Sequence, residues 1–197
     1  LADRGPFTAE TAGLYTVLIE GRASAAEDAE ATFAFTVQDP RSPEVATLAL
    51  DERVSGEVTR PGQQHRFTLT LAEERLLYLD SFTDAGQMRL RLAGPAGVDR
   101  LYTLNRADST DAGSSAPAIV ARAGTYEITV YADGARTGAF DFALRDLASG
   151  REVSLGDTVA GTLDPRRETD IYRFEAATGD TFLMDVLRED GDAFGVY

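Results

Sequence analysis

The sequence predicts an all-β protein of tandem β-sandwich or jelly-roll-like domains of roughly 105 residues, one copy complete and two partial. Three observations predict it. Short runs alternate apolar and polar residues between glycine-containing turns. No long segment carries helical periodicity. The same phrases also return at fixed distances. "AGLYTVLIEG" from Ala12 and "AGTYEITVYA" from Ala123 lie 123 − 12 = 111 residues apart. "LDERVSGEV" from Leu50 and "LGDTVAGTL" from Leu155 lie 155 − 50 = 105 apart.

Taken in order, "AGLYTVLIEG" reads as a turn followed by a strand, with Tyr15, Val17 and Ile19 on one face. Leu14 and Leu18 are apolar too, so both faces are expected to be covered, with Tyr15 in a core. "FAFTVQD" (33–39) follows and matches "FDFALRD" (140–146) at 140 − 33 = 107. The drop from 111 to 107 assigns a loop four residues longer to the first copy. After the turn-prone link "PRSPE" come "LDERVSGEV", "HRFTLTL" (65–71), "LLYLDSF" (76–82) and "MRLRLAG" (88–94). "LAEER" (71–75) is helix-friendly, but its counterpart "AATGD" (176–180) is a turn, so both are read as turns. "AGTYEITVYA" and "FDFALRD" complete this copy, with Thr125, Glu127 and Thr129 marking a wet face. A second link, "LASGRE", leads into "LGDTVAGTL", "DIYRFEA" (170–176) and "TFLMDVL" (181–187). These match the earlier run without gaps. Phe67 meets Tyr172, Leu69 meets Phe174, Leu79 meets Met184 and Asp80 meets Asp185. A one-residue slip would reverse every face, so an in-phase match of this length is informative. The expected organisation is 1–40 as the back half of one repeat, 45–146 as a whole repeat and 150–197 as the front half of another. The start at Leu1 without Met reads as a piece of a longer precursor or parent chain.

Composition excludes several classes of function. The 197 residues carry a formal charge of −14, which argues against nucleic acid and against an anionic membrane surface. No apolar run approaches the roughly 18–20 residues of a membrane span. All 19 basic residues are Arg, so no Lys is present for an isopeptide cross-link. Without Cys there is no disulfide, no Cys nucleophile and no Cys–zinc site.

Gly161 followed by "DIYRFEAATGDTFLMDV", Gly56 followed by "HRFTLTLAEERLLYLDS", then "MRLRLAGPAG" and "AGTYEITV" give an order of elements that resembles the bacterial pre-peptidase C-terminal domain. The resemblance spans nearly the whole chain, as one full and two partial copies. It implies a jelly-roll-like sandwich in secreted bacterial proteins, following a peptidase domain or standing in arrays on large surface proteins. It implies no catalytic residues, and collagen or calcium binding in some members. The chain departs from the pattern with His65 and Arg66 where the third copy has Asp170 and Ile171, and it has no Trp.

Catalysis finds little support. His65 is the one histidine, no Gly-x-Ser-x-Gly elbow is present, and no phosphate-cradling glycine loop occurs. His65 is read as a surface or strand-edge residue. Nothing singles out a pair among the 33 acids for glycoside chemistry. Calcium is the one candidate cofactor. Its candidate ligands are Asp108 and Asp111 in "ADSTDAG", Glu189, Asp190 and Asp192 in "REDGDAFG", and Asp39, Glu44, Asp51 and Glu52 at a junction. The same acids also serve as solvated turn residues. Asp80 and Asp185 recur inside apolar strands, as Asp39 and Asp146 do at strand ends, and are read as hydrogen-bond acceptors from a neighbouring turn. The expected function is a non-catalytic tandem segment of a large secreted or cell-surface bacterial protein, a spacer, stalk or assembly element. Its expected partners are neighbouring repeats of the same chain or protein, in a filament or array. The alternative is an accessory domain that binds collagen, polysaccharide or other matrix and is attached to a secreted protease or other hydrolase. The end halves could also complete each other between molecules by strand exchange.

Overall fold

The computed structural model describes residues 9–21, 30, 32–37, 39, 45–105, 118–163 and 168–187. The chain is all-β, and two sheets packed face to face form a sandwich between residues 45 and 146. Its strands are β1 (Val45–Thr47), β2 (Arg53–Val58), β3 (Gln64–Leu71), β4 (Arg75–Ser81), β5 (Met88–Ala93), β6 (Asp99–Thr103), β7 (Ile119–Ala121), β8 (Gly124–Ala132) and β9 (Gly138–Asp146). Beyond them lie β10 (Arg151–Glu152) and β11 (Tyr172–Arg173). One sheet has the order β1-β3-β8-β5-β6 and the other β2-β9-β4-β7. From β1 to β5 and again from β7 to β9 the chain changes sheet at every step. Apart from β5 and β6, consecutive strands therefore lie in opposite sheets, and neither half of the sandwich can bury its own apolar faces.

Alternation explains the core. Along β8, Tyr126, Ile128 and Val130 point inward and are fully buried, while Thr125, Glu127 and Thr129 point outward. Along β9, Phe140, Phe142 and Leu144 do the same. Phe67 of β3 meets Phe142 edge to face at 6.0 Å, which ties the two sheets together. β4 is buried on both faces from Leu77 to Ser81, in keeping with its nearly continuous apolar run. Gly56 faces Phe140 across the β2–β9 ladder, and a Cβ there would stand 2.5 Å from the ring's Cζ. The glycine leaves room for the ring to lie over the backbone.

Three strands carry no clear period in the sequence. β1 and β7 are three residues long, and β6 is an edge strand with Leu101 exposed. The bend at 72–73 agrees with the turn expected at "LAEER".

At the ends the outcome differs from expectation. Among the described residues, 12–21 and 32–37 form no ladder. Tyr15, expected in a core, is 60% exposed. The period of two is present, but no described strand pairs with it. Residues 174–187 likewise form no ladder, and Phe182 and Met184 are exposed.

Candidate functional site at the joint after the sandwich

The most concentrated buried charge lies where the sandwich meets the segment after it. Asp80, in the middle of β4, is wholly buried. Its Oδ2 accepts a hydrogen bond from Arg145 Nε of β9 at 3.0 Å, while its Oδ1 is buried with no direct partner among the described residues. Burial pushes the Asp80 carboxyl above the usual carboxylate range, and hydrogen bonding from Arg145 and Thr169 only partly opposes this. Arg145 also donates through Nη1 to the carbonyl of Asp51 at 3.2 Å. Asp51 occupies the left-handed region at φ 65° and accepts the amide of Asp146 on its Oδ1 at 3.0 Å. The loop before β2 is thereby tied to the end of β9.

Asp146 then turns the chain. Its Oδ1 accepts from the Ala148 amide at 2.9 Å, and Arg75 Nη1 donates to its other oxygen at 3.0 Å. This is the capping role expected for an Asp at a strand end. Beside it, Arg53 makes a two-pronged contact with Asp141 (2.7 and 2.5 Å) and lies 4.1 Å from the Phe82 ring centre. A cleft of about 280 Å³ separates Asp51 and Arg145 from Glu168–Ile171.

The joint continues into β10 and β11, and here pairings recur. β1 pairs parallel to β3 with Ala46 opposite Phe67 and Thr47 opposite Thr68. β10 pairs parallel to β11 with Arg151 opposite Tyr172 and Glu152 opposite Arg173. Adding 105 converts these two pairs of the first ladder into the two pairs of the second. The Leu48 amide donates to the Thr68 carbonyl at 2.8 Å, and the Val153 amide to the Arg173 carbonyl at 2.8 Å, again 105 apart. The other spacing recurs as well. Tyr126 donates its hydroxyl to the Arg122 carbonyl at 3.0 Å, and Tyr15 donates to the Thr11 carbonyl at 2.7 Å, 111 residues earlier.

Of the nine calcium candidates, Asp108, Asp111, Glu189, Asp190, Asp192 and Glu44 lie outside the described residues. Asp39, Asp51 and Glu52 are described, and Asp51 uses its carboxylate on a backbone amide. No cluster of three His, Asp or Glu suited to a metal ion occurs among the described residues. His65 places Nε2 2.8 Å from the Glu57 carbonyl and packs its ring on Phe140 at 5.0 Å. That is a strand-edge packing role. Sequence reasoning found Asp80 by its recurrence at Asp185. It missed Arg145 and Thr169, whose distance along the chain leaves no local signal.

The chain is similar to a domain of a bacterial collagenase. The solved pre-peptidase C-terminal domain of collagenase from Bacillus anthracis matches 54% of this chain and 100% of its own, with 14% identity and a TM-score of 0.41. No family model matches, and no curated protein matches.

Proposed function

We propose that this chain is a non-catalytic tandem β-sandwich segment of a large secreted or cell-surface bacterial protein, acting as a spacer or assembly element. One observation carries the reading. Two of the three β1–β3 pairs, Ala46–Phe67 and Thr47–Thr68, recur at a shift of 105 as the two β10–β11 pairs, which supports a further repeat starting at the joint. The buried Asp80–Arg145 pair and the Asp146 cap supply a short connection with little slack, as a spacer needs. Among the described residues, none of the groups noted above forms a nucleophile–base pair, and no helix is long and apolar enough to cross a membrane. The charge of −14 keeps such a segment soluble and apart from polyanions.

The test is retention on insoluble collagen and on a panel of insoluble polysaccharides, run alongside screens for peptidase and glycosidase activity. A spacer is retained on none and turns over none. Reproducible retention on one polymer replaces this reading with that of a matrix-binding accessory domain. Turnover that survives repurification overturns both.

A further inference from the structure

The four-stranded sheet buries residues on its outer face as well as on its core face. In β4 and β9 the core takes Leu77, Leu79, Phe142 and Leu144. Tyr78, Asp80 and Ala143 alternate with them and point the other way, yet all three are buried. The cover comes from the end of β9 and from the segment after the joint. Thr169 hydrogen-bonds to Asp80, Glu168 faces Arg53, and Glu168–Ile171 form one wall of the cleft that has Asp51 and Arg145 on the other.

This segment is fastened unevenly. The Arg151 amide donates to the Ile171 carbonyl at 2.9 Å, the Val153 amide to the Arg173 carbonyl at 2.8 Å, and Arg173 Nη1 to the Ala148 carbonyl at 2.8 Å. These bonds tie it to the link at 148–153 and not to the sheet. Its polar contact with the sheet runs through Thr169 and Asp80. We propose that this contact is a proton-operated latch between consecutive repeats: Glu168–Ile171 seat on the outer face of β4 and β9 while Asp80 carries a proton, and lift away, with β10 and β11 intact, when Asp80 ionises. The proposal rests on reading the segment after the joint as the start of a further repeat.

The charges that face Asp80 set the direction. Arg145 reaches it from β9 at 3.0 Å, and Arg53 of β2 stands within its field. Asp141 of β9 engages Arg53, and Glu168 faces Arg53 from the latch itself. With Asp80 neutral these four groups balance, two positive against two negative. With Asp80 ionised the cluster carries one net negative charge, on a carboxylate whose Oδ1 has no direct partner among the described residues. Around the rim, Arg75 with Asp146 and Arg151 with Asp170 add charges of each sign in equal number. Asp51, on the loop before β2, adds a further negative one. Nothing on the neighbouring elements offsets the excess.

Lifting the segment lets water reach the carboxylate, which stabilises the ionised form far more than the neutral one. In the seated state burial holds the carboxyl above its ordinary value of 3.8, against the pull of Arg145 and Thr169. In the lifted state water and Arg145 act together and bring it down. The seated state therefore holds the proton more tightly. Seating is strongest below pH 3.8 and weakens as pH rises through the raised value. One proton is exchanged, so the ratio of lifted to seated chains rises by at most about tenfold per pH unit. A row of repeats joined in this way is stiff in acid and pliable above it.

The chain has no Cys, so spin labels on Ser55→Cys and Thr158→Cys, both exposed, read the geometry of the joint in the full chain. The labelled parent is expected to give one distance in acid and a second, broader one whose share grows with pH. Asp80→Asn keeps the shape but cannot ionise, and should give the same distribution at every pH. Thr169→Val lies outside the buried core, so it tests the latch even where Asp80→Asn fails to fold. It takes a donor from the seated carboxylate and should move the step to lower pH. A distribution in the parent that ignores pH overturns the proposal. So does lifting on acidification, an equal step in Asp80→Asn, or no movement of the step in Thr169→Val. Amide exchange at Arg151 and Val153, corrected for the intrinsic effect of pH, separates this failure from that of the tandem reading. A fixed distance with both amides protected removes the latch alone. A fixed distance with both unprotected removes the latch and the tandem reading together. Loss of protection in step with the distance means that the joint unfolds, and this also overturns the latch.

Discussion

Phe142 and Phe35 occupy the same place in the matching runs "FDFALRD" and "FAFTVQD" in opposite circumstances, and replacing each by alanine separates packing from pattern. Phe142 is wholly buried, meets Phe67 at 6.0 Å and Phe140 at 6.3 Å, and lies between Val54 and Ser81 in the ladders of β9. Phe142→Ala removes a ring from the contact between the sheets and leaves a cavity that rigid strands cannot collapse. The expected cost is about 3–5 kcal/mol. In a domain of this size, each kcal/mol lowers Tm by roughly 4–8 °C. The sandwich transition should therefore fall by more than about 12 °C. Phe35 is 59% exposed, and Phe35→Ala should change the same transition by no more than about 0.5 kcal/mol. Calorimetry and urea unfolding, both followed on the full chain, decide the matter. A Phe142→Ala cost below about 1 kcal/mol would refute the placement of the core. A Phe35→Ala cost as large as that of Phe142→Ala would show that the first segment is packed into the same cooperative unit.

Four further outcomes follow from the geometry. Tyr126→Phe removes the hydroxyl bond to the Arg122 carbonyl and should cost about 0.5–1.5 kcal/mol by urea unfolding. Gly94→Ala sets a methyl 2.1 Å from Tyr126 Cδ1 and should cost about 1–3 kcal/mol, with a shift in the near-ultraviolet tyrosine signal. Arg145→Met strands the Asp80 charge and should cost on the order of 3–5 kcal/mol at neutral pH, recovering as Asp80 takes up a proton on acidification. The Asp80 carboxyl is raised above its ordinary value of 3.8 by burial, so the folded chain holds that proton more tightly than the unfolded chain. Its contribution to stability is complete below pH 3.8 and is lost as pH rises through the raised value. Subtracting the pH–stability curve of Asp80→Asn from that of the parent should expose this falling step, and a flat or rising difference would refute the assignment.

How much of this was legible in the sequence depends on where each signal is written. A half-buried strand writes its environment into its own alternation, so β3, β8 and β9 could be read directly, as could the sandwich they build. β6 could not, because an edge strand with Leu101 in solvent has little apolar face to declare. β1 and β7 are too short to show any period. The charged joint is written in pairs. Asp80 and Arg145 lie 65 residues apart, and only the folded register of β4 on β9 brings them together. The recurrence of Asp80 at Asp185 marked the position without naming its partner. Tyr15 shows the converse. Its alternation is as regular as that of Tyr126, and its hydroxyl bonds four residues back in the same way. Yet one ring is buried and the other exposed, because alternation specifies which face would be buried and not whether a partner is present.

That distinction bears on the joint itself. The sandwich does not end in a loose tail. Asp146 caps the turn, Arg173 Nη1 reaches back to the Ala148 carbonyl at 2.8 Å, and a Cβ at Gly150 would meet Ile171 at 2.6 Å. Substituting Gly150 by Ala should therefore disturb the β10–β11 pairing while leaving the core of 45–146 untouched. Amide exchange at Arg151 and Val153 would rise, and the main melting transition would hold. If the main transition fell instead, the joint would be part of the sandwich's own cooperative unit rather than a separate element after it. The close approach at Gly150 lies outside the buried core, since Gly150 is only half-buried and Ile171 is half-buried with it, which is why the two effects should separate.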